Sequence, residues 1–246
     1  MKTALITGGS RGIGAEIARA LGKAGYRTIV NYNKSEGPAE KICEEIRNSG
    51  GEAFAIKADV GSWKEIQNLF DEIESRFGMV DVLVNNAGIE IRKSSADYEE
   101  EIWDLIMNTN LKGAFFCSQR AVRKMMPKNW GRIINISSIH EERPTGNRSI
   151  YSISKSGMGM MTREFAKEFA RYGITVNSIA PGAIRTDLNR EVLKDPAYEA
   201  RVLANIPANF IAEPADISAA VVFLATEEAR YINGAALTID GGLSLN

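Results

Sequence analysis

Tyr151 and Lys155 stand four residues apart in a stretch, 151–172, that reads as a long helix ending near Gly173. Side chains at that spacing share a helix face. A free phenol titrates near ~10 and cannot serve as a base at neutral pH. An ammonium one turn away favours the phenolate and draws that value down. A tyrosine tuned in this way can give or take a proton at a substrate oxygen. Upstream, Ser137 and Ser138 follow the apolar run Gly131–Ile136. That run reads as a buried strand, and a serine hydroxyl at its end can hold the same oxygen. His140 is the one histidine of the chain and has no Cys or His partners, so no zinc site, and no metal, is expected.

Such residues need a scaffold that presents them to a second reactant. The chain opens on a strand over 3–7, followed at once by Gly8-Gly9-Ser10-Arg11-Gly12-Ile13-Gly14 and a helix over 15–24. Strand, glycine-rich turn and helix in this order make a dinucleotide-binding unit. The glycines let the backbone turn sharply and approach a pyrophosphate at the positive helix N-terminus. The next strand, 28–32, runs out through Asn31, Tyr32, Asn33 and Lys34. Enzymes that choose NAD usually place a carboxylate there, against the ribose 2′-hydroxyl. Its absence, with Arg11 and Lys34 able to face a 2′-phosphate, predicts NADP(H) ahead of NAD(H), with NAD(H) permitted.

The alternation continues. Helices are predicted over 37–49 and 62–77, and a strand over 53–57 leads into Asp59 and Val60. Ile66, Leu69, Phe70, Ile73 and Phe77 recur at helical spacing, and Ser62 with Glu65 reads as a capping box. A strand over 80–84 enters Asn85-Asn86-Ala87-Gly88, whose small residues let the backbone approach a cofactor. A long helical stretch, 98–126, carries Asn108, Thr109 and Asn110 at its middle. Asparagine is a poor interior helix residue, so a distortion or a site is expected there. A strand over 174–180 is closed by Pro181-Gly182, and a helix over 214–225 and a strand over 236–239 finish the chain. Repeated β-α-β units imply one parallel sheet covered by helices on both faces. No linker or repeat divides residues 1–246, so one domain is expected to carry both the cofactor and the substrate site.

Composition narrows the class. Of 246 residues, 44% are hydrophobic and 25% charged, which is ordinary for a globular protein. A net charge of −1 gives no attraction to nucleic acid or to an anionic membrane. The apolar runs are too short to span a bilayer, and the opening strand leaves no room for a signal peptide. Cys43 and Cys117 form no motif and read as buried thiols of a reducing compartment. The cytoplasm is the expected location.

Taken together, Thr7-Gly8-x-x-x-Gly12-x-Gly14, Asn85-Asn86-Ala87-Gly88, Asn110, Ser138, Tyr151-x-x-x-Lys155 and Pro181-Gly182 resemble the classical short-chain dehydrogenases/reductases, in order and spacing, over nearly the whole chain. The resemblance implies a three-layer α/β Rossmann fold with a seven-stranded parallel sheet, and hydride transfer with a nicotinamide. It assigns Tyr151 as acid/base, Lys155 to lower its pKa and bond the nicotinamide ribose, and Ser138 to orient the substrate oxygen. It gives Asn110 a proton-relaying water. Asp59 and Val60 are placed beside the adenine, and Ile184 and Thr186 at the carboxamide.

The resemblance leaves the substrate open, because fold does not fix function. Ser137–Glu141 and Asn85–Glu90 look like the matching stretches of glucose 1-dehydrogenases. Glu90, His140 and Glu141 are the candidate substrate contacts, although each also suits a solvated loop. The rival is a 3-oxoacyl-[acyl-carrier-protein] reductase, which needs a basic docking patch. Where such enzymes carry arginines before the fifth and sixth strands, this chain has Asn129 and Tyr172, beside Lys128 and Arg171. A non-catalytic NADP(H) sensor is the remote alternative, and the intact Ser138, Tyr151 and Lys155 speak against it. The 151–172 helix carries Met158, Met160, Met161, Phe165 and Phe169 as well as its chemical face. A helix apolar on more than one face usually has a second partner. The resemblance makes that partner another copy, in a symmetric homotetramer, with the final stretch 238–246 near a neighbour's site.

Overall fold

The computed structural model describes residues 1–186 and 194–245. Seven strands form one parallel sheet: β1 (Thr3–Ile6), β2 (Arg27–Tyr32), β3 (Glu52–Lys57), β4 (Val82–Asn85), β5 (Gly131–Ile136), β6 (Ile174–Pro181) and β7 (Ala236–Ile239). Their spatial order is β3-β2-β1-β4-β5-β6-β7. The order reverses between β1 and β4, where Leu5 stands between Ile29 and Leu83. Open α/β sheets bind their ligands outside the carboxyl ends of the strands at such a reversal. The glycine loop, Asn85-Asn86, Ser137-Ser138 and Pro181-Gly182 all leave the sheet at that edge.

Eight α-helices are described: α1 (Gly12–Lys23), α2 (Glu36–Asn48), α3 (Trp63–Phe77), α4 (Glu100–Met107), α5 (Gly113–Met125), α6 (Ser149–Phe169), α7 (Pro196–Leu203) and α8 (Pro214–Leu224). Successive strand side chains point to opposite faces, which gives the sheet two cores. Ala4, Ile6, Val30, Val84, Ile134 and Ile179 pack under α1, α2 and α8. Leu5, Ile29, Leu83, Ile133 and Val176 pack under α3, α5 and α6. Covered on both faces, the strands read as apolar runs instead of alternating ones.

The expected distortion in 98–126 is a π-helical turn, Asn108–Lys112, joining α4 to α5. It buries Asn110 completely, and π turns are often found at functional sites. Several element bounds move. The first helix begins at Gly12, so two of the loop glycines lie in its first turn, and β4 begins at Val82. The helix α7 was not foreseen. The Ser62 hydroxyl does accept from the Glu65 amide, but the Glu65 carboxylate takes the Asp59 amide at 2.7 Å, so the capping box does not close. Among the described residues no helix is long and apolar enough to cross a membrane.

Candidate active site

The glycine loop is locked from both sides. Gly8 adopts φ +62°, a left-handed conformation that a side chain would strain. The Asn86 amide donates to the carbonyls of Thr7 and Gly8 at 2.9 and 3.0 Å. A Cβ at Gly14 would collide with that same amide. Thr7 Oγ1 accepts from the amides of Asn86 and Ala87, each at 3.0 Å. Small residues therefore keep a cradle open between the β1 and β4 ends. Thr186 lies against Gly12, with 3.6 Å from its Cβ to the place a Gly12 Cβ would occupy, and Ile184 is fixed by a bridge to Ala212. Gly182 is backed by Asp240 and bonds the Ile239 carbonyl at 3.0 Å.

Toward the adenosine end the expectations need correcting. Asn31 is buried, and its amide is taken by Gly8 N, Ile56 O and Ala58 O. It braces the glycine loop, with both amide hydrogens spent on the Ile56 and Ala58 carbonyls. Tyr32 packs in the core. Asn33, Lys34 and Arg11 remain exposed at the loop edge, with Ser10 and Ile13 partly so. Asp59 turns its carboxylate onto the Gly61 amide at 2.8 Å, and Val60 is buried beneath it. The open cradle and the basic edge fit a phosphorylated dinucleotide.

Ser138 lies two residues past β5 and caps a 3₁₀ turn, Ile139–Glu141, its hydroxyl accepting from His140 N at 3.2 Å. That hydroxyl also faces the Tyr151 phenol, near the start of α6, and favours its ionised form. Lys155 is buried one turn on and donates to the Ile136 carbonyl at 2.7 Å. Its Nζ is 5.6 Å from the Tyr151 ring centroid. Burial pushes the Tyr151 phenol up to about 12, and the Ser138 hydroxyl and the Arg148 charge work against that rise. Burial brings Lys155 itself down to about 8, with Glu141 the charge that opposes the fall. Asn110 uses its amide on Ile89 N, Ile89 O and Ser154 Oγ, at 2.9 to 3.1 Å, and Ser154 donates to the Tyr151 carbonyl. Its side chain therefore ties the loop segment beyond Gly88 to α6.

The three candidate substrate contacts separate. His140 faces Tyr151 edge-on, with ring centroids 6.3 Å apart. Its Nε2 accepts from Arg148 at 2.8 Å and its Nδ1 meets the Arg143 carbonyl at 3.1 Å, the pattern of a neutral ring. Burial, followed by the two arginines, lowers its pKa. Glu90 lies at the same mouth, paired with Arg92 at 2.6 Å and with Arg148 at 3.4 Å. Glu141 turns away from the mouth: its carboxylate accepts from the Ser137 hydroxyl, on the α6 side of the sheet. Arg148 and Arg92 were missed in the sequence. The available signal was a cation three residues before Tyr151, at the entrance to the helix, where Arg148 is the N-cap of α6.

Known proteins share this arrangement. The family described as Enoyl-(Acyl carrier protein) reductase matches residues 8–244. A 3-oxoacyl-[acyl-carrier-protein] reductase of Staphylococcus epidermidis is 40% identical, covering 98% of each chain. Glucose 1-dehydrogenase 2 of Bacillus subtilis is 38% identical, over 99% of this chain and 95% of the relative. The crystal structure of a gluconate 5-dehydrogenase from Burkholderia cenocepacia, in complex with NADP and tartrate, superposes with a TM-score of 0.94. It is 35% identical and the match covers 100% of this chain and 96% of that one. With the motifs, the sheet order and these matches in agreement, the chain belongs to the classical short-chain dehydrogenases/reductases, a family of NAD(P)-dependent oxidoreductases.

Proposed function

We propose that this oxidoreductase uses NADP(H) to interconvert an alcohol and a carbonyl on a small polyhydroxylated substrate of the sugar class, with glucose the leading candidate. The observation that carries it is the mouth of polar groups beside Tyr151: His140, which faces the tyrosine ring, with Glu90, Arg92 and Arg148. A site built of such groups rejects analogues that lack the matching hydroxyl. A nicotinamide held in the glycine cradle supplies or accepts the hydride. Ser138 holds the reacting oxygen. In oxidation Tyr151, as phenolate, takes the hydroxyl proton; in reduction the phenol returns it. Lys155 keeps a positive charge behind the tyrosine. Arg11, Asn33 and Lys34 offer the 2′-phosphate its donors. One domain provides all of these groups.

The relatives' names span several substrate classes, among them sugars or sugar acids, acyl carriers and steroids. The mouth favours the sugars and sugar acids. Arg92 and Arg148 share one carboxylate, Glu90, so a sugar acid is also within the class. The rival keeps some support, because Lys128 and Arg171 are both exposed beside the tight Asn129–Gly173 contact. The test compares kcat/KM for glucose and gluconate with NADP against acetoacetyl thioesters with NADPH. Thioester reduction without oxidation of either sugar would reverse the order.

We further propose a homotetramer in the cytoplasm. Met158, Met161 and Phe165 belong to the core, but Met160 and Ile153 on α6 are exposed, as is Phe115 on α5. Met107, Leu111, Phe115, Phe116 and Met161 form an apolar groove between them. On the far side of the sheet edge Phe223, Leu237 and Leu245 are exposed as well; Asn246 lies outside the described residues. Two separate apolar faces suit two symmetric contacts. Free, buried Cys43 and Cys117 suit a reducing compartment.

A further inference from the structure

The carboxylate of Glu141 sits behind the catalytic residues and away from the substrate. Strand alternation places Ser137 on the α6 side of β5, next to Asn135, which bonds Thr162 of α6 at 2.9 Å. The Ser137 hydroxyl donates to the Glu141 carboxylate and also lies 3.5 Å from the Lys155 carbonyl. The Glu141 carbonyl accepts from Ser156 at 2.6 Å, and the Glu141 amide bonds the Ser138 carbonyl at 3.0 Å. Gly159, one turn beyond Lys155, leaves the space: a Cβ there would stand 3.2 Å from Glu141 Oε2. The residue therefore grips both the turn that begins at Ser138 and the helix that carries Tyr151 and Lys155.

We propose that Glu141 is a positioning residue: it clamps the Ser138 turn onto α6 and sets a negative charge behind Lys155. This rests on the reading of Tyr151 as proton donor. A half-buried carboxylate with one side-chain partner is unfavourable unless it serves the surrounding charges. The groups that act on it are Lys155 and Arg163 from α6 and Glu142 from its own turn. The strand β6, also packed against the turn, carries no titratable side chain. Burial raises the Glu141 carboxyl while the Ser137 bond holds it down. In return, Glu141 is the charge that favours the Lys155 ammonium.

The two functions separate in variants. Glu141→Gln keeps an acceptor for Ser137 and removes the charge. Ser137→Ala removes the clamp and keeps the charge. The readout is the pH profile of kcat/KM for NADPH-dependent reduction of ethyl acetoacetate, a probe with no ionising group near neutrality. In Glu141→Gln the plateau stays near wild type, and the alkaline limb moves to lower pH by about half a unit or more, because Lys155 loses its proton sooner. In Ser137→Ala the limb stays in place and the plateau falls about tenfold, as the donor and the reacting oxygen lose alignment. NADPH affinity, followed by its fluorescence, remains within about twofold in both, since neither residue lines the cradle. An alkaline limb that does not move in Glu141→Gln overturns the charge role. An unchanged plateau in Ser137→Ala overturns the clamp. Tyr151→Phe, assayed alongside, keeps the two readings apart: activity retained there removes the tyrosine assignment, whatever Glu141 does.

Discussion

Lys155 gives its ammonium to the Ile136 carbonyl, 2.7 Å away, and holds Nζ 5.6 Å from the centre of the Tyr151 ring. Spacing on a helix guarantees a shared face, but the end of a lysine reaches whatever acceptor lies nearest. Here that acceptor is the last carbonyl of β5. The lysine is thereby anchored to the sheet.

Burying that ammonium opposes folding. A lysine whose folded pKa is about 8 and whose ordinary value is 10.5 binds fewer protons when folded across that interval. Stability therefore rises with pH from about 8 to 10.5, and the full burden is felt below 8. Lys155→Met should stabilise the fold at pH 7 by about 2 kcal/mol, the charge term of roughly 3 less about 1 for the orphaned carbonyl. It should also abolish turnover. Thermal melts at pH 7 and 9.5 check this: the gain should shrink at the higher pH. A destabilised variant at pH 7 would refute it.

Tyr151→Phe removes one hydroxyl and leaves the ring in place. Turnover should drop by about two to four orders of magnitude, the usual weight of a general acid or base. NADP(H) binding should stay near normal, because the cradle is made by the glycine loop and Asn86. Steady-state rates with fluorescence titration of NADPH decide it, and wild-type turnover would remove Tyr151 from the chemistry.

NADPH should bind at least tenfold tighter than NADH, a difference of about 1.4 kcal/mol. Asn31 contributes only through the loop it braces. The discrimination falls to the exposed Arg11, Asn33 and Lys34. Arg11→Ala should erase much of the preference by removing a charge-assisted bond. Equal affinities in the wild type, by titration calorimetry, would contradict the assignment.

What the sequence made legible follows from local rules. Glycines between a strand and a helix, an asparagine in a helix interior and a tyrosine one turn before a lysine each carry their own physical constraint. The cradle, the π turn at Asn110 and the face shared by Tyr151 and Lys155 were visible for that reason. The directions of side chains just beyond a strand were not. Asn31, near the end of its strand, and Glu141, in the turn after β5, both brace their neighbours because a backbone amide or a serine hydroxyl lies closer than solvent. Arg148 was hidden for the opposite reason. Its value comes from His140, Glu90 and Arg92, which only the tertiary fold assembles around it.

The exposed apolar faces predict assembly. Met160 is 51% and Phe115 39% exposed, unusual values for large apolar side chains facing water together. Sedimentation at micromolar concentration should give a tetramer. Met160→Glu should split it into smaller species, as a charge is buried without a partner. A monomeric wild type would count decisively against the proposal.

Arg148 and His140 give the sharpest prediction about the mouth. Arg148 donates to His140 Nε2, so the ring is held neutral and pointed at Tyr151. Losing the arginine frees that nitrogen and also leaves Glu90 with Arg92 alone. Arg148→Gln should raise KM for the sugar substrate severalfold and lower kcat less, because binding groups are lost while Ser138 and Tyr151 stay in place. His140→Ala should act in the same direction, and the double variant should be less than additive, since the two side chains share one bond. If the substrate is a sugar acid, Arg148→Gln should weaken gluconate more than glucose, as an opposing charge is removed. Full additivity, or an unaltered KM for both sugars, would take this cluster out of the substrate site.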